Sequence, residues 1–431
     1  MSFQTGLSGL NASSRNLDVI GNNIANANTT GMKTSRAEFS GMVSSALGSA
    51  TSGGSGIGVE IATTAQIFTQ GNISTTGNNL DVAINGSGFF QLTQADGSPA
   101  YTRDGSFKLD SSGYIKTNAN ANLMGFPTDK AGNSTSASIQ KLQLPTSAPI
   151  PASATTTINA EFNLDARALG PLATSDLNLA PVPRSTYGTS LNVYDAQGVA
   201  SSVNFYFVKT NAANTWDVYD SLDTTATKVK SIVFNDTGTP DATLTGTIAA
   251  GPNAGKLGFT LASPTTFVSA NPNVTPDAAG IRYLEGPLDI VLEGVTQFGT
   301  PFSVSSLSQD GYTAGELTGL NIGDDGIITA RYSNGQTQAA GQIALADFRN
   351  IQGLSPLGGN AWAATQASGI PVQGAPGLGK LGNLRSGALE ESNVDLTAEL
   401  VNMMTAQRAY QANAQTIKTQ DQIMSTLVNL R

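Results

Sequence analysis

Helical periodicity is confined to the two ends of this chain, and any fold it adopts has to account for both at once. The first pattern runs over residues 3–27 and contains most of the stretch LDVIGNNIANANTTGMK. Phe3, Leu7, Leu10, Leu17 and Ile24 recur at steps of three, four and seven, Ser14 and Gly21 fill the same stripe, and Ile20 widens it. Asn11, Arg15, Asn22 and Asn26 lie opposite, and NANTTGMK supplies the Asn and Gly at which a helix ends. The second pattern covers residues 395–429, free of Gly and Pro, and starts from a box-like Ser392 to Asp395 pair. It predicts a helix roughly 50 Å long. Leu396, Leu400, Met403, Tyr410, Ala414, Ile417, Met424 and Val428 form its stripe, with Met404, Ile423 and Leu427 beside it and Gln407 and Asp421 interrupting it. A seam weakened in this way suits an assembly of many helices better than a self-sufficient two-stranded coil.

The sequence between the ends reads as β. Asn85-Gly86, Asp96-Gly97, Asp104-Gly105, Asp325-Gly326 and Asn334-Gly335 are hairpin dipeptides, flanked by runs such as LDVAI, GFFQL, SFKLD and IITARY. A second group, SLNVYD, VNFYFV, WDVYD, VKSIVF and LDIVLE, lies beyond the Pro-rich LPTSAPIPAS and reads as a separate domain inserted into the first. LGSATSGGSGIG at 47–58 and the Gly-rich segment 353–383 read as flexible connections. The expected fold is therefore mainly β with α-helical termini, in a discontinuous multi-domain chain. Residues 1–30 and 390–431 form a coiled-coil-like terminal helical assembly domain, and 31–70 and 358–389 an extended linker region. Residues 71–147 and 311–357 form an inner β domain, and 148–310 an inserted outer β domain, each of barrel or sandwich type. On such tethers the helices would order only by packing on each other and on neighbouring molecules.

The composition restricts the chemistry. The chain has neither Cys nor His, which removes thiol nucleophiles, Cys/His metal sites and every hydrolytic triad that uses imidazole. Hydrophobic residues make up 39%, enough to fill real cores, while charged residues make up only 12%. A net charge of −9 without a basic run argues against nucleic acid as a partner. No basic n-region precedes an apolar run and no stretch reaches membrane-span length, so no membrane insertion is expected, and if the chain leaves the cell something other than a cleaved signal peptide takes it out. GGSGIGVE at 53–60 has the glycines of a phosphate loop but no Lys-Ser/Thr, and reads as linker. GDDGIITA at 323–330 lacks the alternating oxygens and distal Glu of a calcium loop, and reads as a turn. Glu390 and Glu391 sit at a helix approach, where they favour the helix dipole rather than form a glycosidase pair. The expectation is a chain that is not an enzyme, with no catalytic, cofactor-binding or metal site.

Five stretches carry a family resemblance. NNIANANTTGMK at 22–33, INGSGFFQL at 84–92, YTRDGSFKLDSSGYIKTNANANLMGF at 101–126, DGYTAGELTGLNIGDDGIITARYSNGQT at 310–337 and the run from Leu389 to Leu430 closely resemble the bacterial flagellar hook proteins. The terminal patterns are shared across flagellar rod, hook and junction proteins. The block at 310–337, together with a central insertion of this size, points to the hook. Residues 150–300 match no such pattern.

The resemblance implies a subunit that polymerises into a short, curved, hollow tube, a universal joint carrying torque from the basal-body rod to the filament. It implies an extracellular hook subunit exported through the flagellar type III apparatus. Its partners would be copies of itself, the distal rod protein, the hook cap and the hook-filament junction proteins. Phe3, Leu7, Leu10, Leu17, Ile20, Ile24, Leu396, Leu400, Met403, Tyr410, Ile417, Met424 and Val428 are the expected assembly interface. The alternatives are another flagellar axial protein, of the distal rod or the hook-filament junction, and a secreted glycan-binding adhesin or enzyme. Electron microscopy separates the last two from the others, because only an axial protein forms tubes.

Overall fold

The computed structural model describes residues 3–43, 56–145, 149–168, 187–221, 228–261, 272–273, 275 and 287–429. The chain divides into two compact units, the first made of Met1–Ser147, Thr318–Arg331 and Thr337–Arg431 and the second of Ala148–Leu317 and Tyr332–Gln336.

The first unit holds both terminal helices, Phe3–Ala25 and Leu396–Asn429. The C-terminal helix is started by Asp395 alone, whose carboxylate accepts from the backbone N–H groups of Thr397 at 2.9 Å and Ala398 at 3.2 Å. Ser392 instead accepts from Val394 N–H, so the expected Ser392 to Asp395 box does not form. The β part is organised around Phe89–Thr93. Its first residues pair antiparallel with Leu345–Asp347, its last with Asn122–Phe126, and its other edge with Pro99–Thr102. Side chains alternate across a strand, so adjacent Phe89 and Phe90 enter different cores. Phe90 joins Val82, Ile84, Phe107, Ile115, Leu123 and Ile343. Phe89 meets Phe68, Phe348 and Trp362 edge-on at centroid distances of 5.7, 6.0 and 5.7 Å.

Two expectations are corrected here. Residues 31–70 and 358–389 are not extended linkers where the structure describes them. Ser35–Val43 and Gly56–Gln66 form a long antiparallel hairpin, while part of the low-complexity stretch, residues 47–55, lies outside the described residues. Ala361–Ala363, Val372–Gly374, Asn383–Ser386 and Ala388–Glu390 are all paired strands, the last two with Val82–Asn85 and Ile73–Thr75. Glycine marks tight turns as well as loose chain, and here it supplies positive φ, as at Gly387 (φ 69°) between two of these strands. The hairpin dipeptides divide likewise. Asp96-Gly97, Asp325-Gly326 and Asn334-Gly335 turn between paired neighbours. Asn85-Gly86 and Asp104-Gly105 do not: Val82–Asn85 pairs with Asn383–Ser386, and Pro99–Thr102 already has Phe89–Thr93 and Ala361–Ala363 on its two edges.

The second unit is a sandwich of two sheets. One is built on Thr157–Asp165, which pairs with Leu288–Val291, Thr296–Phe298 and Ser303–Gln309 and through the first of these with Gly258–Leu261. The other runs antiparallel through Tyr187–Tyr194, Ala200–Lys209, Thr215–Tyr219 and Lys228–Val233. Period-two patterning is clean in Ala200–Lys209, where Ser201, Val203, Phe205, Phe207 and Lys209 are the buried positions. Phe162 of the first sheet packs on Phe207 of the second at 4.6 Å, and Trp216 is fully buried in the same core.

Trp216 and Trp362 are the two tryptophans of the chain, one in each unit, so each unit has its own fluorescent reporter. In a Trp362→Phe background, Phe207→Ala is expected to remove about 3–5 kcal/mol from the Trp216 unfolding transition through the cavity it leaves. In a Trp216→Phe background the same substitution leaves the Trp362 transition in place. Denaturant titrations followed by fluorescence check both, and equal shifts would show that the units unfold together.

Candidate functional site

The terminal helices meet through small residues. A β-carbon at Gly6 would stand 3.1 Å from Ile417 Cγ1, and one at Gly9 3.0 Å from Asn413 Nδ2. Asn413 Nδ2 also donates to Ser13 Oγ at 3.3 Å. Contact positions rise along one helix as they fall along the other, so the pair is antiparallel. Missing β-carbons let the two axes close, and a Leu at either glycine would force them apart. Ala12 and Ala406, one on each helix, are buried as well. The opposite side of the N-terminal helix lies on the hairpin, where Ser8 Oγ accepts from Val59 N–H at 3.3 Å. Asn23 donates to Ser35 C=O at 2.8 Å and accepts from Ser35 N–H at 3.0 Å, as a strand neighbour would.

The expected interface residues fall into groups. Ile20 is buried, and Leu10, Leu17, Ile24, Met403 and Ile417 are half-buried. Leu7, Leu396, Leu400, Tyr410 and Met424 are exposed, with Leu400 at 51% and Met424 at 56%. Val401, Met404 and Ile423 are exposed with them. Phe3 and Val428 belong to the helices, but their side chains lie outside the described residues. Of the stripe read from heptad spacing, Ile417 lies in the seam between the helices, against Gly6, while Leu396, Leu400, Tyr410 and Met424 lie outside it. The rest of the seam includes Gly6, Gly9, Ser13 and Asn413, residues a search for large apolar side chains passes over. The large side chains Leu396, Leu400 and Met404, at i, i+4 and i+8, form a separate ridge open to solvent.

Beneath the helices is a buried polar node. Glu390, 1% exposed, receives Lys33 Nζ on Oε1 at 2.6 Å and Arg103 NH1 on Oε2 at 3.2 Å. Gly71 N–H donates to the same Oε1 at 3.0 Å, and Glu390 C=O accepts from Gly31 N–H at 2.8 Å. Gly31 has φ 68°, and a β-carbon there would collide with the backbone at Asp104, so no other residue fits this crossing. Lys33 Nζ donates onward to Thr69 C=O at 2.7 Å, and the Arg103 guanidinium lies 5.3 Å from the Phe89 ring. Burial pulls both the Lys33 ammonium and the Arg103 guanidinium below their ordinary pKa, and the Glu390 carboxylate opposes this in each case. Removing one partner from a buried ion pair costs about 3–5 kcal/mol, because the other is left uncompensated.

Asn393 completes the node. Its Oδ1 accepts from Thr34 N–H at 2.8 Å and from the Thr34 hydroxyl at 2.7 Å, while its Nδ2 donates to Ile67 C=O at 2.8 Å. Asn360 Nδ2 holds Thr30 C=O at 2.7 Å, and Trp362 Nε1 donates to Gln66 Oε1 at 2.5 Å. Glu390 is therefore a structural ion rather than a complement to the helix dipole, which corrects the sequence reading. Lys33 in GMKTS and Arg103 in YTRDG both stand among polar neighbours, so nothing local marks either for burial. Their shared partner 287 positions beyond Arg103 has no local signature. The arrangement supplies shape, an open apolar ridge and a fixed joint. Among the described residues no cluster of acidic side chains could hold a metal ion, and no helix is long and apolar enough to cross a membrane.

Comparison with known proteins assigns the architecture. Family models match residues 3–33 (flagella basal body rod protein), 83–162 (flagellar hook protein FlgE/F/G D1 domain), 163–312 (flagellar basal body protein FlaE D2 domain) and 385–430 (flagellar basal body rod FlgEFG protein C-terminal). The chain is 41% identical to the flagellar hook protein FlgE of Escherichia coli (strain K12), over 100% of both chains. It is 34% identical to that of Treponema pallidum (strain Nichols), over 100% of this chain and 99% of the relative. The crystal structure of Helicobacter pylori flagellar hook protein FlgE2 shares the fold at 14% identity, with a TM-score of 0.50 over 74% of this chain and 100% of that one. Full-length identity of this order, with matched segments from the first helix to the last, shows that the chain belongs to the flagellar hook protein family, structural components of the bacterial flagellum.

Proposed function

We propose that this chain is the structural subunit of a bacterial flagellar hook. It self-assembles into a curved hollow tube that passes torque from the basal-body rod to the filament. The observation that carries the reading is the uncovered ridge of Leu396, Leu400 and Met404, with Val401 beside it, on a helix whose other side is already occupied by its partner helix. Large apolar side chains left in water by the single chain gain roughly 25 cal/mol per Å² when a neighbouring copy covers them. Copies of the chain are the proposed occupants, since the relatives it matches over its full length are hook proteins. The distal rod protein, the hook cap and the hook-filament junction proteins are the proposed heterologous partners. The proposed location is the extracellular hook, reached through the flagellar export apparatus without a cleaved signal peptide. The role is mechanical and not enzymatic. The second unit, with its small and weakly charged surface side chains, would make the wet contacts that let rows of subunits slide as the tube bends.

Leu400→Asp is expected to abolish polymerisation while leaving the melting temperature of the single chain unchanged. The carboxylate is in water in the monomer and would be desolvated in the tube, at a cost of several kcal/mol per subunit. Ala409→Asp, nine residues on and on the opposite side of the helix from Leu400, should polymerise. Ile417→Asp should act differently, because Ile417 already packs on Gly6 and its loss separates the two helices within one chain. Sedimentation yield beside thermal melting distinguishes the three, and normal tubes from Leu400→Asp would remove the ridge from the interface. Excision of residues 148–317 is expected to leave a chain that still polymerises but gives straight or mechanically altered tubes in electron micrographs. Complete loss of polymer from a folded excision variant would contradict that division of labour.

A further inference from the structure

Four passages of chain cross at the buried node: the exit of the N-terminal helix at 31–35, the exit of the hairpin at 67–72, the β part at Arg103, and the approach to the C-terminal helix at 390–393. Tethers would leave these passages free to pivot, but each is fixed by at least one directional bond to Glu390, Lys33 or Asn393. Glu390 alone binds three of them through its two carboxylate oxygens and its carbonyl. The Asn23 and Asn393 side chains stand in for missing strand neighbours at Ser35, Thr34 and Ile67. Two cations share one buried carboxylate, with the Asp347 carboxylate near enough to act on the charge of Arg103, and Arg103 Nε is buried with no hydrogen-bond partner among the described residues. A site selected for stability alone would do as well with apolar side chains of the same volume, since burying ions costs desolvation that their attraction barely offsets. Apolar packing, however, is non-directional and resists rotation of one segment against another less than a fixed fork of charge-assisted hydrogen bonds does.

We propose that the Lys33–Glu390–Arg103 triad, bracketed by Asn23 and Asn393, is a rigid coupling that locks the terminal helix pair to the hairpin and β part of the first unit, with Glu390 as the positioning residue. The purpose of such a coupling rests on the reading of the chain as a torque-bearing subunit, since slack here would absorb rotation before it reached the β part. Its test does not depend on the polymer.

The absence of cysteine allows clean paired spin labels on the full-length chain, at Asn11→Cys on the N-terminal helix and Ala95→Cys in an exposed turn of the same unit. With the native triad the distance distribution between the labels is expected to be narrow. Glu390→Gln should at least double its width. Lys33→Met/Arg103→Met/Glu390→Leu fills the same volume without charge. It should keep the unfolding transition of Trp362 within a few degrees of the native one and still broaden the distribution. Broadening in the apolar variant with its transition retained supports the coupling, and it also carries the test if Glu390→Gln does not fold. A native-width distribution in the apolar variant overturns the proposal, because packing would then suffice to fix the joint. An apolar variant that fails to fold also overturns it, since the charges would then be needed for stability. Failure of the native chain to form tubes would count against the proposed function and leave this result standing.

Discussion

A carboxylate buried against two cations fixes the geometry of the first unit at the point where the chain closes on itself. Glu390 stands at the end of the path back from the second unit, and its partners Lys33 and Arg103 stand on the way out. Until the chain has returned, Lys33 and Arg103 have no partner for the charge they would have to bury. Until they are in place, Glu390 has none either. The desolvation cost of each ion is met only when all three arrive, so closure of the two ends is coupled. The helices continue the same closure outward, with Gly6 and Gly9 admitting Ile417 and Asn413 from the far end of the sequence.

This closure changes the meaning of the glycine-rich segments. A tether would make the helices independent arms that order on contact with a neighbour. Paired strands and amide brackets make them part of a body that carries the exposed ridge Leu396, Leu400 and Met404. Presentation on a rigid element lowers the ordering entropy that association has to overcome. It also means that a force applied at the helices is delivered to the β part through bonds of fixed geometry. The second unit folds around its own aromatic core, with Phe162, Phe207 and Trp216 at its centre, so change in it need not disturb the ends.

Much of this was legible in the sequence. The two helices, the β character between them and the turns at Asp96-Gly97, Asp325-Gly326 and Asn334-Gly335 all follow from local periodicity and turn chemistry, which depend on residues a few positions apart. The absence of Cys and His bounds the chemistry in the same direct way. The family resemblance lay in stretches spread over both outer thirds of the chain, where the side chains that repeat along one helix or one hairpin can be read in order.

Tertiary structure alone decided the rest. Spacing defines an apolar stripe on each helix, but which stretch of it meets the partner helix and which meets water depends on where Gly6, Gly9 and Asn413 let the axes approach. Glycine content by itself cannot distinguish a loose connection from Gly387 in a tight turn or Gly31 at a close crossing, because the difference is a φ value and a neighbour distant in sequence. The same holds for Glu390. Beside Glu391 in sequence it reads as one of two solvated carboxylates near a helix start, and only the long-range pairing of Ala388–Glu390 with Ile73–Thr75 brings it to Lys33 and Arg103. Local chemistry determines which elements form; the burial of a charge depends on what covers it, and that is settled by contacts between residues far apart in the chain.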